Sequence, residues 1–339
     1  MTSPNQQQDP WLQQEAQASK LWQEGRYCEA TEAARHALKI AEQVLAPDDP
    51  QLMRPLSHLA FLQFFQQQYA EAESLYRRAL AIGTRKLDPD DPLMFECITH
   101  LAKLYHGQRR YADREALLRE QIQALRERSG PTHRPVVLLW RMLAEQRHLH
   151  GQSLRTDPAY QEMVEGLERE SVTADHSTAA RAWQLLAELY QAEGNDTAAE
   201  LALKRALILR EEACVADHPE VVDAAVRLAR FYESRQRFGE AETTYQRALD
   251  QIAAVSGTRQ DSLLKLLQHL SGLYVVQQNY PKALAVLRQE LTIREQQHGP
   301  KHHSLVITLR NLAAILRKAG KVNEAEVVEA RAEGLGAGS

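Results

Sequence analysis

The dipeptide Leu-Ala, or a near equivalent, returns at an almost constant interval along the 339-residue chain. It falls at Leu59-Ala60, Leu101-Ala102, Leu143-Ala144, Leu186-Ala187, Leu228-Ala229, Leu270-Ser271 and Leu312-Ala313, in steps of 42, 42, 43, 42, 42 and 42 residues. One step back lies Gln17-Ala18, which marks an eighth repeat. A second series, Ala30, Ala72, Ala199, Ala241, Ala283 and Ala325, keeps the same beat. A fixed period of this length restricts the chain to an array of similar supersecondary units, each burying its apolar face against the next.

Each repeat carries two helical patterns. In the first, Ile98, Leu101, Ala102 and Tyr105 fall at i, i+3, i+4 and i+7; in the second, Ala72, Leu75, Tyr76, Ala79 and Leu80 do the same. Small alanines let two helix axes approach while leucine and tyrosine fill the space between them. No Val/Ile/Thr-rich alternation suggests a strand. The expected fold is all-α, a right-handed superhelix of about eight helix-turn-helix repeats. Residues 1–10 and 334–339 read as flexible ends, and 11–333 as a single solenoid.

The junctions between repeats read PDDP, PDDP, GPTH, ADHP and GPKHH. Asp49, Asp91, His133, His176, His218 and His302 stand where a side chain can cap the next helix. Pro50, Pro92 and Pro219 follow at the first helical position, where a missing N–H does no harm. One repeat, around 150–175, is irregular: Thr156 replaces the expected alanine and Pro158 follows. A proline in a helix interior costs about 3 kcal/mol, so the pattern predicts a loop over 151–156, Asp157 as cap and a helix from Pro158. Tyr160 and Met163 remain in phase with the core. Arg114 and Gln121 stand where alanine is usual. The irregular stretch is open to two readings, a joint or binding notch, or drift in a permissive array.

The phrases L-A-x-L-Y, Y-x-E-A-E-x-x-Y-x-R-A-L and D-H-P resemble the tetratricopeptide repeat (TPR), and the 42-residue period resembles its kinesin-light-chain-like form. The resemblance covers roughly residues 11–333. It implies that the first helix of each repeat lines a concave groove that holds extended peptides or partner helices. It also implies an asparagine before Leu-Ala that holds a peptide backbone. Here Asn311 alone keeps it, while His58, His100 and His269 replace it elsewhere. No heptad coiled coil of the kind that joins a light chain to a motor is present in the sequence.

The groove face lies opposite the apolar stripe of each first helix. In the early repeats it carries Arg54, His58, Phe61, Phe64, His100, Lys103 and Arg141, with Phe65 beside them. In the later repeats it carries Arg181, Arg227, Arg230, Lys265, His269, Arg310, Asn311 and Arg317. The chain has 41 Lys and Arg against 45 Asp and Glu, a formal charge of −4, yet this face is richer in cations than in carboxylates. Such a face suits an acidic or amphipathic segment of a protein partner through charge-assisted hydrogen bonds. The three phenylalanines offer an apolar anchor. The alternative is that Phe64 and Phe65 pack between repeats and the arginines pair internally with Glu188, Asp223 and Glu233.

Other chemistry finds little support. No HExxH, phosphate loop, G-x-S-x-G or zinc-spaced cysteine set occurs, and most of the 13 histidines sit in junctions or at repeat positions. The expectation is a non-enzymatic chain with no cofactor and no metal. The negative charge offers nothing to nucleic acid. Three scattered cysteines and the lack of a signal or membrane-length apolar run suggest a cytoplasmic protein without membrane insertion. A peptide-binding scaffold is the leading reading; a ligand-sensing regulator that changes curvature and a self-associating scaffold are the others.

Overall fold

The computed structural model describes residues 10–254 and 260–336. Among these residues there are sixteen α-helices and no strand. They are α1 (Pro10–Gln23), α2 (Tyr27–Val44), α3 (Met53–Phe65), α4 (Tyr69–Lys86), α5 (Pro92–Gly107), α6 (Tyr111–Ser129), α7 (Arg134–Leu149) and α8 (Pro158–Thr173). They continue as α9 (His176–Ala192), α10 (Asp196–Ala213), α11 (Pro219–Ser234), α12 (Phe238–Ala253), α13 (Gln260–Val276), α14 (Tyr280–His298), α15 (Leu305–Lys318) and α16 (Val322–Gly336). Sixteen helices make eight pairs, the expected number. The proposed flexible start lies outside the described residues up to position 9; α16 continues through Gly336, three residues into the expected tail, and 337–339 lie outside.

The helices fall into two compact units. One runs to Gly166 and includes Ala192–Gly194; the other comprises Leu167–Gln191 and everything from Asn195. In each, the recurrent small residues are sealed: Ala60, Ala72 and Ala102 in the first, and Ala199, Ala229 and Ala241 in the second, have no exposed surface.

The period is written into the backbone as well. At the turn inside each pair, one residue takes the left-handed conformation: Gly25, Gln67, Arg109, Gly151, Gly194, Gln236, Gln278 and Gly320, with φ between 57° and 77°. Four of them carry a Cβ, which opposes that conformation. Gln236→Gly should therefore stabilise the second unit by about 0.5–1 kcal/mol, read from the urea midpoint. An unchanged or lowered midpoint would contradict this.

The repeated phrase E-A-E…L-Y does more than fill the core. Glu73 accepts from the Tyr105 hydroxyl one repeat later at 2.8 Å and pairs with Arg110 at 2.6 Å. Glu200 takes Tyr232 (3.1 Å) and Arg237, and Glu242 takes Tyr274 (2.9 Å) and Lys282 (2.6 Å). In each case the cation also lies over the tyrosine ring, at 4.6, 4.6 and 5.1 Å from its centroid. A buried alanine contact and this charged clamp thus fasten the same two repeats.

The caps follow the junction pattern with three corrections. Asp49 accepts from the Gln51 amide (2.8 Å), Asp91 from Leu93 (2.9 Å) and His218 from Glu220 (3.3 Å). His302 accepts from Ser304 (3.3 Å), the residue before α15, so it closes the junction turn and does not cap the helix. His176 is instead the first helical residue, and Asp175 caps α9 by accepting from Ser177 and Thr178 at 3.0 and 3.1 Å. The carboxylate is the better acceptor and stands one residue earlier. His133 makes no cap bond; its Nε2 turns to Asp90 at 3.2 Å. Pro50 opens a three-residue 3₁₀ turn ahead of α3 rather than the α-helix itself.

The irregular repeat has the expected form at its start. Asp157 accepts from the amides of Ala159 and Tyr160 (3.1 and 3.3 Å), α8 begins at Pro158, and Tyr160 and Met163 are buried. Arg114 is also buried, and its guanidinium donates to Gln146 at 2.5 Å.

Candidate functional site: the first-helix faces

In the first unit, α1, α3 and α5 meet through several of the residues singled out above. His58 Nδ1 lies 3.1 Å from Glu15 Oε2, and Arg54 Nε lies 4.0 Å from the same oxygen. Phe61 stands edge-on to Trp22 at 5.2 Å and packs against His100 at 5.5 Å. Phe65 packs on Trp22 (4.6 Å) and Tyr27 (4.9 Å), and Phe64 on Tyr69 (5.9 Å). The three phenylalanines therefore do not form one open pocket: two join an aromatic cluster with Trp22 and Tyr27, and the third turns aside. Phe65 still presents about half its surface, 49%, to solvent. Lys103 is exposed, and Arg141 pairs with Glu145 at 3.6 Å.

A cleft of about 510 Å³ opens beside this cluster, walled by Glu15, Arg54, His58, Phe61, Leu93 and Glu96 among others. Glu15, Ser19 and Trp22 were missed from sequence, although the spacing rule that found Arg54 and His58 reaches them. They lie three before, one after and four after Ala18, the small residue of the first repeat.

In the second unit, the cations divide into two groups. Arg227 reaches Glu188 at 3.3 Å, Lys265 pairs with Asp223, and Arg317 holds Glu329 with an Nε–Oε1 distance of 2.8 Å. These three are already neutralised by carboxylates. Arg181, Arg230, Arg310 and Asn311 are exposed and make no ion pair or hydrogen bond among the described residues. His269 is half-buried and stacks on Tyr245 with rings 6.0 Å apart and 5° from parallel. The Tyr245 hydroxyl donates to Glu233 at 2.8 Å, so Glu233 is spent on a core tyrosine rather than on an arginine.

The tetratricopeptide repeat model matches residues 16–85, 52–127, 220–296 and 261–333, and a second model of the same description matches 184–220. The chain belongs to the tetratricopeptide repeat family. No curated protein sequence matches this TPR chain. Similar solved structures include BtubC (BKLC) from P. vanneervenii, at 20% identity over 97% of this chain and 92% of that one, with a TM-score of 0.39. Another is the Q17M form of the nearly identical TPR-like repeats of a candidate kinesin light chain from Podosopora anserina, at 18% identity over 72% and 95%, TM-score 0.40. A third is the apo form of RapI, at 9% identity over 96% and 97%, TM-score 0.39.

Two further features bear on what the TPR faces can do. Cys214, His218 and Glu220 bring one donor atom each to within 4.8 Å of one another. Arg210 already donates to Glu220 at 2.6 Å, and His218 Nδ1 accepts the Glu220 amide, so the group works as an ion pair and a helix cap. No helix among the described residues is long and apolar enough to cross a membrane.

His100 and His269 carry a pH dependence. Burial lowers the His269 pKa from 6.5, helped by Arg230 and Lys265 and opposed by Glu233 and Asp223. Burial likewise lowers that of His100, helped by Lys103 and opposed by Glu96. The folded chain thus binds these protons less readily than the unfolded chain. Stability is retained above pH 6.5 and declines as pH falls below it, until the folded pKa values are passed. His269→Asn should remove part of this loss, seen as a smaller drop in melting temperature between about pH 7.5 and about pH 5.5. An equal drop in the variant would count against it.

Proposed function

We propose that this TPR protein is a non-catalytic interaction scaffold whose second unit binds an acidic or amphipathic segment of a partner protein. The observation that carries the reading is the division of the cations. Arg181, Arg230 and Arg310 stand exposed and unpaired on the first-helix faces, with Asn311 beside Arg310. An arginine fork without a carboxylate of its own is free to take one from a ligand, and asparagine offers both a donor and an acceptor to a peptide backbone. Arg227, Lys265 and Arg317 would have to surrender an existing partner first, and so contribute less.

The test uses a capped leucine–glutamate peptide and its leucine–glutamine counterpart in calorimetry. The glutamate peptide should bind the wild type at least about tenfold more tightly, with an affinity that falls as salt rises. The double variant Arg230→Glu, Arg310→Glu should lose that preference, while Arg227→Glu should change it less. Equal binding of the two peptides, or an unchanged preference in the double variant, would overturn the reading.

A further inference from the structure

We propose that the cleft walled by α1, α3 and α5 in the first unit takes a lysine or arginine side chain of the partner, with Glu15 as its anchor. This rests on the reading of the first-helix faces as the partner-binding surface, and it assigns to the first unit a charge preference opposite to that of the second.

Glu15 is the reason. Its side chain is only 5% exposed, and at such burial an anion is costly unless paired and hydrogen-bonded. Oε2 has the imidazole of His58 at 3.1 Å and the Arg54 guanidinium at the outer limit of an ion pair, 4.0 Å. Oε1 has no hydrogen-bond partner among the described residues. Arg54 is a loose neighbour, since two-thirds of its side chain (66%) is in solvent. A buried carboxylate with spare acceptor capacity is an unfilled cation position.

The rest of the cleft fits the same ligand. Its wall holds Asp91 and Glu96 together with Glu15, against Arg54 as the one permanent cation, so the cleft is acidic. Asp91 spends Oδ1 on the Leu93 amide, and Glu96 lies 4.0 Å from His100 on its own helix, which leaves acceptor oxygens on both. Phe61, Pro92 and Leu93 give the same wall an apolar stretch. A long side chain with an aliphatic stem and a cationic head matches that order, with the stem on the ring and leucine and the head at the carboxylates. The incoming cation displaces Arg54 from the edge of Glu15 rather than adding to it.

The full chain is titrated with capped Ala-Lys-Ala, Ala-Arg-Ala and Ala-norleucine-Ala peptides and with butylammonium, followed by NMR shifts of the His58 ring. Lysine and arginine peptides should bind about tenfold more tightly than the norleucine peptide. Glu15→Gln should erase the difference, Glu96→Gln should reduce it, and Arg54→Ala should enlarge it. Butylammonium should follow the same order of variants but bind more weakly than the lysine peptide; tighter binding would show a site for free amines and overturn the assignment to a side chain. A norleucine peptide that binds as well as lysine, or a preference that survives Glu15→Gln, would also overturn it. Should Glu15→Gln disturb folding by circular dichroism, the opposite responses of Glu96→Gln and Arg54→Ala decide the matter. Failure of the lysine peptide while the glutamate peptide still binds removes this inference alone; failure of both removes the groove reading with it.

Discussion

Trp140→Ala is expected to destabilise the first unit by about 3–5 kcal/mol, the largest effect of any single truncation in it. Trp140 is 1% exposed on α7, stands edge-on to Tyr160 at 5.4 Å and has the Arg119 guanidinium 5.9 Å from its ring centroid. Where neighbouring repeats of the first unit use Leu56 or Ile98, this one places an indole, beside a helix that starts only at Pro158 and lacks the alanine that Thr156 replaces. Removing the ring leaves a cavity that neither Tyr160 nor Arg119 can close. Urea denaturation gives the cost, and hydrogen exchange should place the lost protection in the first unit. A loss below about 1 kcal/mol would mean that α7 and α8 collapse onto each other readily.

Glu200→Ala comes second, at about 2–3 kcal/mol in the second unit. The carboxylate accepts from Tyr232 and is flanked by Arg237 and, at 2.6 Å, by Lys204. Hydrogen bonds from Arg237 first, then from Lys204 and Tyr232, hold its pKa down from 4.5 to about 2 against the opposing effect of burial. With the folded value below the unfolded one, the stabilisation is complete above pH 4.5 and is lost as pH falls towards about 2. The variant should therefore be less stable at neutral pH and show a flatter acid-denaturation curve across that interval. Glu200→Gln, which keeps the acceptor but not the charge, should fall between the two. If Glu200→Ala matches the wild type within about 0.5 kcal/mol, the clamp is ornamental, as many exposed ion pairs are.

The period, the helix pairs and the Asp157–Pro158 start were all legible in the residues, because each depends on short-range pattern: apolar spacing, cap chemistry and the fixed φ of proline. The Tyr–Glu–cation clamps were not. They join residues 32 to 40 positions apart, such as Tyr105 and Arg110 with Glu73 or Lys282 with Glu242, and only the stacking of one repeat on the next brings them together. The same limit applied to the first-helix faces. Arg227 and Arg230 lie one helical turn apart and read alike in sequence, yet one reaches Glu188 and the other reaches no carboxylate among the described residues. His176 reads as a cap because it keeps the ten-residue distance to Leu186 that Asp91 keeps to Leu101, but α9 starts one residue early and Asp175 takes the role. Glu15 needed only the face rule carried one repeat further towards the start of the chain.

The clamps also limit where the chain can be shortened. Each ties a carboxylate on one second helix to a tyrosine and a cation that belong to the following repeat. A chain ended after Ala213 would keep Glu200 and Lys204 but lose Tyr232 and Arg237, leaving the anion with one of its three partners on a newly bared alanine surface. The damage at the cut edge would be electrostatic as well as apolar, and capping that edge with leucine-to-polar exchanges alone would leave half of it unrepaired. A trimmed protein that keeps its last carboxylate should carry the helix after it to at least Arg237, or replace that glutamate with glutamine.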